Sequence, residues 1–215
     1  MKDRETPLKI EGIYPGFWLR LGSFFLDGLI LSPAILLNMY LNSQGKFFSF
    51  YALIPFQLFY LVYYVCFVKI YGGTPAKLIL GLKIIKTTDE AIEWRTSLIR
   101  YSPYLILGSI FVAEHSYCLL KADDIVYKSL TWGHQTKYLL SFSPLHHSVF
   151  WVEQIWFGAD IIVLIVNKRR RALHDLLAGT VVVKTKYINE ISRVVNETEE
   201  TITGPTDEAT LQTDI

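Results

Sequence analysis

Apolar residues along this chain gather into long runs separated by short polar connections. A helix crossing the hydrocarbon layer of a bilayer needs about 20 mostly apolar residues. Residues 17–41, beginning FWLRLGSFFLDGLIL, and residues 47–68, FFSFYALIPFQLFYLVYYVCFV, meet that demand. Residues 96–113 carry Arg100 and Pro103, and residues 149–166 carry Glu153 and Asp160, yet the rest of each is apolar and aromatic. The pattern predicts an all-α integral membrane protein with four transmembrane helices at about 17–41, 47–68, 96–113 and 149–166. The third is the weakest of the four; lying flat on the membrane, it would leave an odd number of crossings.

Outside these runs the period changes. LKIIK at 82–86 and TVVVKT at 180–185 alternate with a period of two and are rich in β-branched residues, which predicts small strands. A lone strand pair is marginal in water, so they are expected to pair with each other or to form small hairpins resting on the helix ends. Residues 1–16 form a polar N-terminal segment with no small-residue cleavage site after the first apolar run, so that run reads as a retained helix. Residues 114–148 read as an enlarged outer loop, and 187–215 as a disordered acidic tail. Asn196 opens a glycosylation sequon, discounted because the tail is expected on the inner side.

The net charge of +1 gives no global attraction to nucleic acid, so the meaning lies in placement. Lys69, Lys77, Lys83, Lys86, Arg95 and Arg100 fall between the second and third runs, and Lys168, Arg169, Arg170, Arg171, Lys184 and Lys186 follow the fourth. The first connection holds only Lys46, and 114–148 dilutes three lysines with Glu114, Asp123 and Asp124. Since lysine and arginine are retained on the cytoplasmic side, four crossings with both termini and the strands cytoplasmic satisfy the bias. A cell-membrane location, of the bacterial inner-membrane type, is expected. Cys66 and Cys118 show no CxxC or metal spacing and read as free thiols.

Ionisable groups inside the apolar runs are the informative feature. Each costs ~2.5–3.5 kcal/mol at a helix centre, and such groups usually turn inward and find partners. Arg20 and Asp27 are two turns apart on nearly one face, which Ser23 and Asn38 extend. Glu153, Asp160 and Asn167 repeat every seven residues; Ser97, Arg100 and Tyr104 share a face, as do Gln57, Tyr60 and Tyr64. Asp27 and Asp160 fall at matching depths in the inner half, with Arg20 and Arg100 slightly nearer the cytoplasm. Two facing carboxylates repel unless a proton, arginine or cation intervenes, so Asp27 and Asp160 are the candidate proton or cation site. Arg100 and Glu153 are secondary candidates. The plainer reading is structural: Arg20 and Lys69 snorkel, and the aspartates act as hydrogen-bonding glue.

Three stretches, YPGFWLRLGSFFLDGLIL, GGTPAKLILGLKIIK and RRRALHDLLAGTVVV, resemble in order and spacing those of the RDD family of small membrane proteins. The resemblance covers roughly residues 14–186 apart from the middle, and the family's named arginine and aspartates match Arg20, Asp27 and Asp175. Two departures stand out. The family's block commonly has glycine before the lysine where this chain has Ala76 before Lys77, and 114–148 is an insertion. Read from its residues, the last motif places three arginines where anionic headgroups attract them at ~1 kcal/mol each. Leu173, Leu176 and Leu177 then suit a short amphipathic helix that Gly179 ends. Asp175 on that helix would reach Arg20, so Arg20 and Asp175 are the candidate gate or structural ion pair.

Several chemistries lack their residues. GGTPAKLILG fails the P-loop spacing. His115, His134, His146 and His147 have no zinc-ligand spacing, and His174-Asp175 has no nucleophile motif beside it. No enzymatic activity, metal or cofactor is expected. The resemblance suggests transport, and the intramembrane carboxylates a proton or monovalent cation as cargo; a chain this small is expected to enclose the path as a homo-oligomer in the lipid bilayer. The competing class is a non-transporting scaffold or assembly factor whose buried charges lock the helices.

Overall fold

The architecture is that of a computed structural model describing residues 12–88 and 90–189. Residues 1–11 of the expected polar N-terminal segment, the bulk of the expected disordered tail and the Asn196 sequon lie outside the described residues. Among those described, four helices are long and apolar enough to cross a membrane. The first spans Phe17–Ser43, the second Lys46–Tyr71, the third Trp94–Lys121 and the fourth His146–Val166. Their surfaces are inverted relative to a water-soluble bundle. The first buries Ser23 and Asp27 alongside Leu31, while Trp18, Phe25, Leu29 and Leu36 face outward. Hydrocarbon accepts such residues, and backbone groups satisfied within each helix make this the stable arrangement in lipid.

The third helix is longer than its hydropathy suggests, and the segment expected as a loop over 114–148 is largely helical. Glu114, His115 and Lys121 lower the hydropathy without breaking a helix, so the rod continues to Lys121. Ala122 is extended, and Asp123 Oδ1 accepts from the amides of Ile125 (2.9 Å) and Val126 (3.0 Å), capping a short helix Asp124–Ser129. Such a cap supplies acceptors for the orphan donors of a first turn. A further helix, Trp132–Leu140, folds back so that Cys118, Leu119, Ala122, Tyr127 and Leu139 form a core with Leu53, Tyr138 and Phe142. The Lys46 ammonium donates to Ala122 O at 2.6 Å, and the Ser49 and Tyr127 hydroxyls are 2.9 Å apart, fixing this cap to the start of the second helix.

At the other end of the bundle, β1 (Leu82–Lys86) pairs antiparallel with β2 (Thr180–Lys184), Leu82 opposite Lys184 and Lys86 opposite Thr180. The two predicted strands pair with each other rather than forming separate hairpins. A two-stranded sheet needs covered faces to persist, and both are covered. Val181 and Val183 pack with Ile13 on one side; Val182, Leu82 and Ile84 pack with Val68 on the other. The amide of Lys184 donates to Ile13 O at 3.0 Å, so the approach to the first helix joins the same end.

Candidate functional site

Two charged centres lie where the helices meet the sheet end. The first surrounds Asp27, which is 2% exposed. Its Oδ1 accepts from Tyr63 Oη at 2.6 Å and from the Ala76 amide at 3.3 Å. Its Oδ2 accepts from Thr74 Oγ1 at 2.7 Å and, more loosely, from Lys77 Nζ at 3.5 Å. Lys77 Nζ also lies 3.3 Å from Thr74 Oγ1.

Local backbone choices bring these donors together. A π turn over Val62–Cys66 shifts the register of the second helix and buries Tyr63; such single π turns commonly mark functional positions. Gly72 adopts φ +79° and ends that helix, a left-handed conformation that favours glycine. Pro75 then opens the short helix Pro75–Ile79, where its missing N–H costs nothing, and the first turn presents the Ala76 amide to the carboxylate. Ala76 itself has an ordinary φ, so the turn does not require the glycine common in related sequences. Burial presses the Lys77 ammonium below the usual lysine range, and Asp27 opposes that shift.

The second centre surrounds Asp175, a fully buried residue on the short helix Leu173–Leu177. Oδ2 accepts from Arg20 Nη1 at 2.8 Å and from the Ala172 amide at 3.0 Å, while Oδ1 faces Arg100 Nη1 in a close ion pair. Arg100 Nη1 also donates to Thr180 Oγ1 at 2.7 Å, and Arg100 Nη2 stands 3.1 Å from His174 Nε2. On its other side the His174 ring brings Nδ1 to 2.8 and 3.0 Å from the two Asp160 oxygens. The backbone amide of His174 donates to Asp160 Oδ1 at 3.2 Å. Burial alone would raise the Asp175 carboxyl; its neighbours, Arg100 foremost, then the His174 ring and Arg20, outweigh it and hold the group well below the usual carboxylate range.

The structure thus joins Arg20 to Asp175, adds Arg100 to the pair, and links Asp160 to it through His174. It does not join Asp27 to Asp160: each carboxylate has its own donors, so neither confronts the other across a shared site. Glu153 is half-buried and makes no ion pair among the described residues. Arg171, grouped by sequence with the headgroup-facing arginines, is buried; its Nε donates to Thr180 O at 3.0 Å. Sequence reasoning missed Tyr63, Thr74, Lys77, His174 and Thr180. Thr74 and Lys77 stand in the GGTPAK block that carried the resemblance; Tyr63 was hidden because a π turn breaks the 3.6-residue period that placed Tyr60 and Tyr64 on one face.

Comparison with known proteins adds to this geometry. The sequence profile described as the RDD family matches residues 14–179, more than half of the chain. The uncharacterized protein YckC of Bacillus subtilis (strain 168) is 27% identical over 169 residues, 78% of this chain and 82% of that protein. The uncharacterized protein YxaI of the same organism is 29% identical over 119 residues, covering 45% of this chain and 79% of YxaI. The uncharacterized membrane protein YteJ is 30% identical over 97 residues, 40% of this chain and 58% of YteJ. No solved structure matches.

Proposed function

From the premise that the chain belongs to the RDD family and is a multi-pass membrane protein, we propose that it handles monovalent cations or protons, with Asp27 as the working carboxylate. The carrying observation is the loose seat of Lys77, 3.5 Å from Asp27 Oδ2 and 3.3 Å from Thr74 Oγ1. Those two oxygens, with Tyr63 Oη beside them, are hard donors of the kind a small monovalent cation takes. A bound cation would replace the ammonium, and the displaced Lys77, already pressed toward its neutral form by burial, would release its proton. Binding of cation and loss of proton are then one exchange.

In this reading Asp160 is a second proton-accepting carboxylate, and Arg20 with Asp175 closes the end of the path. The role is non-enzymatic. The lysine and arginine bias sets the sheet end, and both termini, at the cytoplasmic face. The fourth helix, outward-facing at Trp151, Ile155 and Ile162, offers a second copy its packing surface.

Reconstitution into liposomes holding a pH-sensitive dye tests this. Monovalent cations should dissipate an imposed proton gradient; Asp27→Asn should abolish the response, and Lys77→Gln should lower the half-saturating cation concentration while weakening its pH dependence. A wild type that leaves the gradient intact overturns transport. One observation favours the competing scaffold: Asp27 is fully supplied with donors, as a structural anion would be. Equal behaviour of wild type and Asp27→Asn would establish that reading.

A further inference from the structure

His174 is held in one protonation pattern by what surrounds it. A carboxylate accepts hydrogen bonds and a guanidinium only donates them. Nδ1, 2.8 and 3.0 Å from the Asp160 oxygens, therefore carries a hydrogen. Nε2, 3.1 Å from Arg100 Nη2, therefore offers its lone pair. The ring is neutral in this arrangement, and the only vacant place for a further proton is the lone pair that receives Arg100.

Asp175 Oδ1 is 3.6 Å from the same Nε2. That oxygen is the one Arg100 engages. We propose that His174 is a proton-binding site, and that its second proton transfers Asp175 Oδ1 from the Arg100 guanidinium to the imidazolium. One proton from water is added at Nε2, and no covalent bond breaks. The new N–H meets the Arg100 donors head-on and is repelled, while the carboxylate beside it attracts it. Arg100 loses both its histidine acceptor and its share of Asp175, and retains Thr180 Oγ1. Asp175 keeps Arg20 through Oδ2, so the first helix stays attached while the third is released.

Every packed element contributes charge to this balance. The third helix presents Arg100 and Tyr104, whose hydroxyl is 3.5 Å from Nδ1. The fourth presents Asp160, the first presents Arg20, and the segment of His174 itself presents Asp175 and Arg171. Two carboxylates thus flank the ring, one at each nitrogen, and the Arg100 guanidinium stands at Nε2. The His174 side chain keeps 19% of its surface exposed, so the ring is not sealed inside the protein. This proposal stands whether or not anything crosses the membrane.

The test uses the full chain in lipid nanodiscs. Amide exchange over residues 173–184, corrected for the intrinsic effect of pH, should accelerate several-fold between pH 8 and pH 5.5. His174→Gln keeps an acceptor for Arg100 but does not titrate, so its corrected exchange should not change. Nitrogen NMR of labelled histidine in the unmutated chain reads the same device without a variant: at pH 8 the His174 resonance should be of the neutral Nδ1–H form, converting to the imidazolium on acidification. An Nε2–H form at pH 8, an unchanged wild-type exchange, or an equal step in His174→Gln overturns the proposal. Because none of these readouts measures flux, failure here is distinct from failure of the cation-exchange reading.

Discussion

Asp175 anchors two arginines from different helices, and a buried carboxylate in that position is costly to remove. Asp175→Asn would leave the Arg20 and Arg100 guanidiniums with a neutral acceptor, and breaking a buried pair destabilises by ~3–5 kcal/mol. A markedly lowered thermal midpoint in detergent, with Asp175→Glu in between, is the expected result. The pH dependence has a definite sign. Because the folded carboxyl is held below its unfolded value, its contribution is present above the unfolded pKa of ~3.9 and fades only as pH falls further toward the folded one. Between pH 5 and pH 8 the Asp175 carboxyl should therefore not change its own protonation, and wild-type dependence there must come from another group, which in the proposed switch is His174. Ala76 is the second sensitive position, since it has no exposed surface and its amide serves Asp27. Ala76→Leu should cost ~1–3 kcal/mol by overpacking, read as a lower unfolding midpoint.

Helix pairing shows the same reliance on fit. A Cβ at Gly108 of the third helix would stand 2.7 Å from Gln57 Nε2 on the second, so an alanine there must displace the end of the Gln57 side chain from its place against the third helix. Small residues serve this purpose between membrane helices. Gly108→Ala should lower the unfolding midpoint, and Gln57→Ala should relieve most of that loss. A double-mutant cycle should give a coupling of ~0.5–3 kcal/mol; additive effects would show that the two side chains do not contend for one space. At this scale the sequence was readable wherever hydropathy and period agree, as in the first two helices and in LKIIK and TVVVKT. It was less so where polar residues continue a helix past its apolar stretch, as between Glu114 and Lys121, because hydropathy measures lipid exposure and not helix formation. The π turn at Val62–Cys66 leaves no periodic trace at all. Seven-residue spacing identified which face of each helix carries charge, but not which helix that face meets; Asp27 and Asp160 were paired by depth, whereas lateral position decides partners.

The small sheet closes the whole molecule. β1 lies between the second and third helices and β2 follows the fourth, so their pairing requires that the third and fourth helices together return the chain to the end it left. The bond from the Lys184 amide to Ile13 O brings the entry to the first helix to that end too. Three segments distant in sequence thus meet under the two charged centres, and the ion pairs among Arg20, Arg100 and Asp175 tie the first and third helices to this clasp. Of this assembly, the Arg20–Asp175 link was readable from the RRRALHDLLAG motif; the clasp needed strand register, which short β-branched stretches do not encode without a partner. The arrangement makes a prediction about the bilayer itself. Cysteines placed at the sheet end, Lys83→Cys on half-exposed β1 and Lys186→Cys on the exposed turn after β2, should react with a membrane-impermeant thiol reagent from one face only, and from the same face. Lys137→Cys, on the opposite cap, should react only from the other. In the proposed orientation, which follows the positive-charge bias, the first pair faces the cytoplasm, so in intact cells Lys137→Cys alone should label. Labelling of Lys83→Cys and Lys186→Cys from opposite faces would be incompatible with a paired sheet, and with it the clasp and both charged centres would lose their geometry.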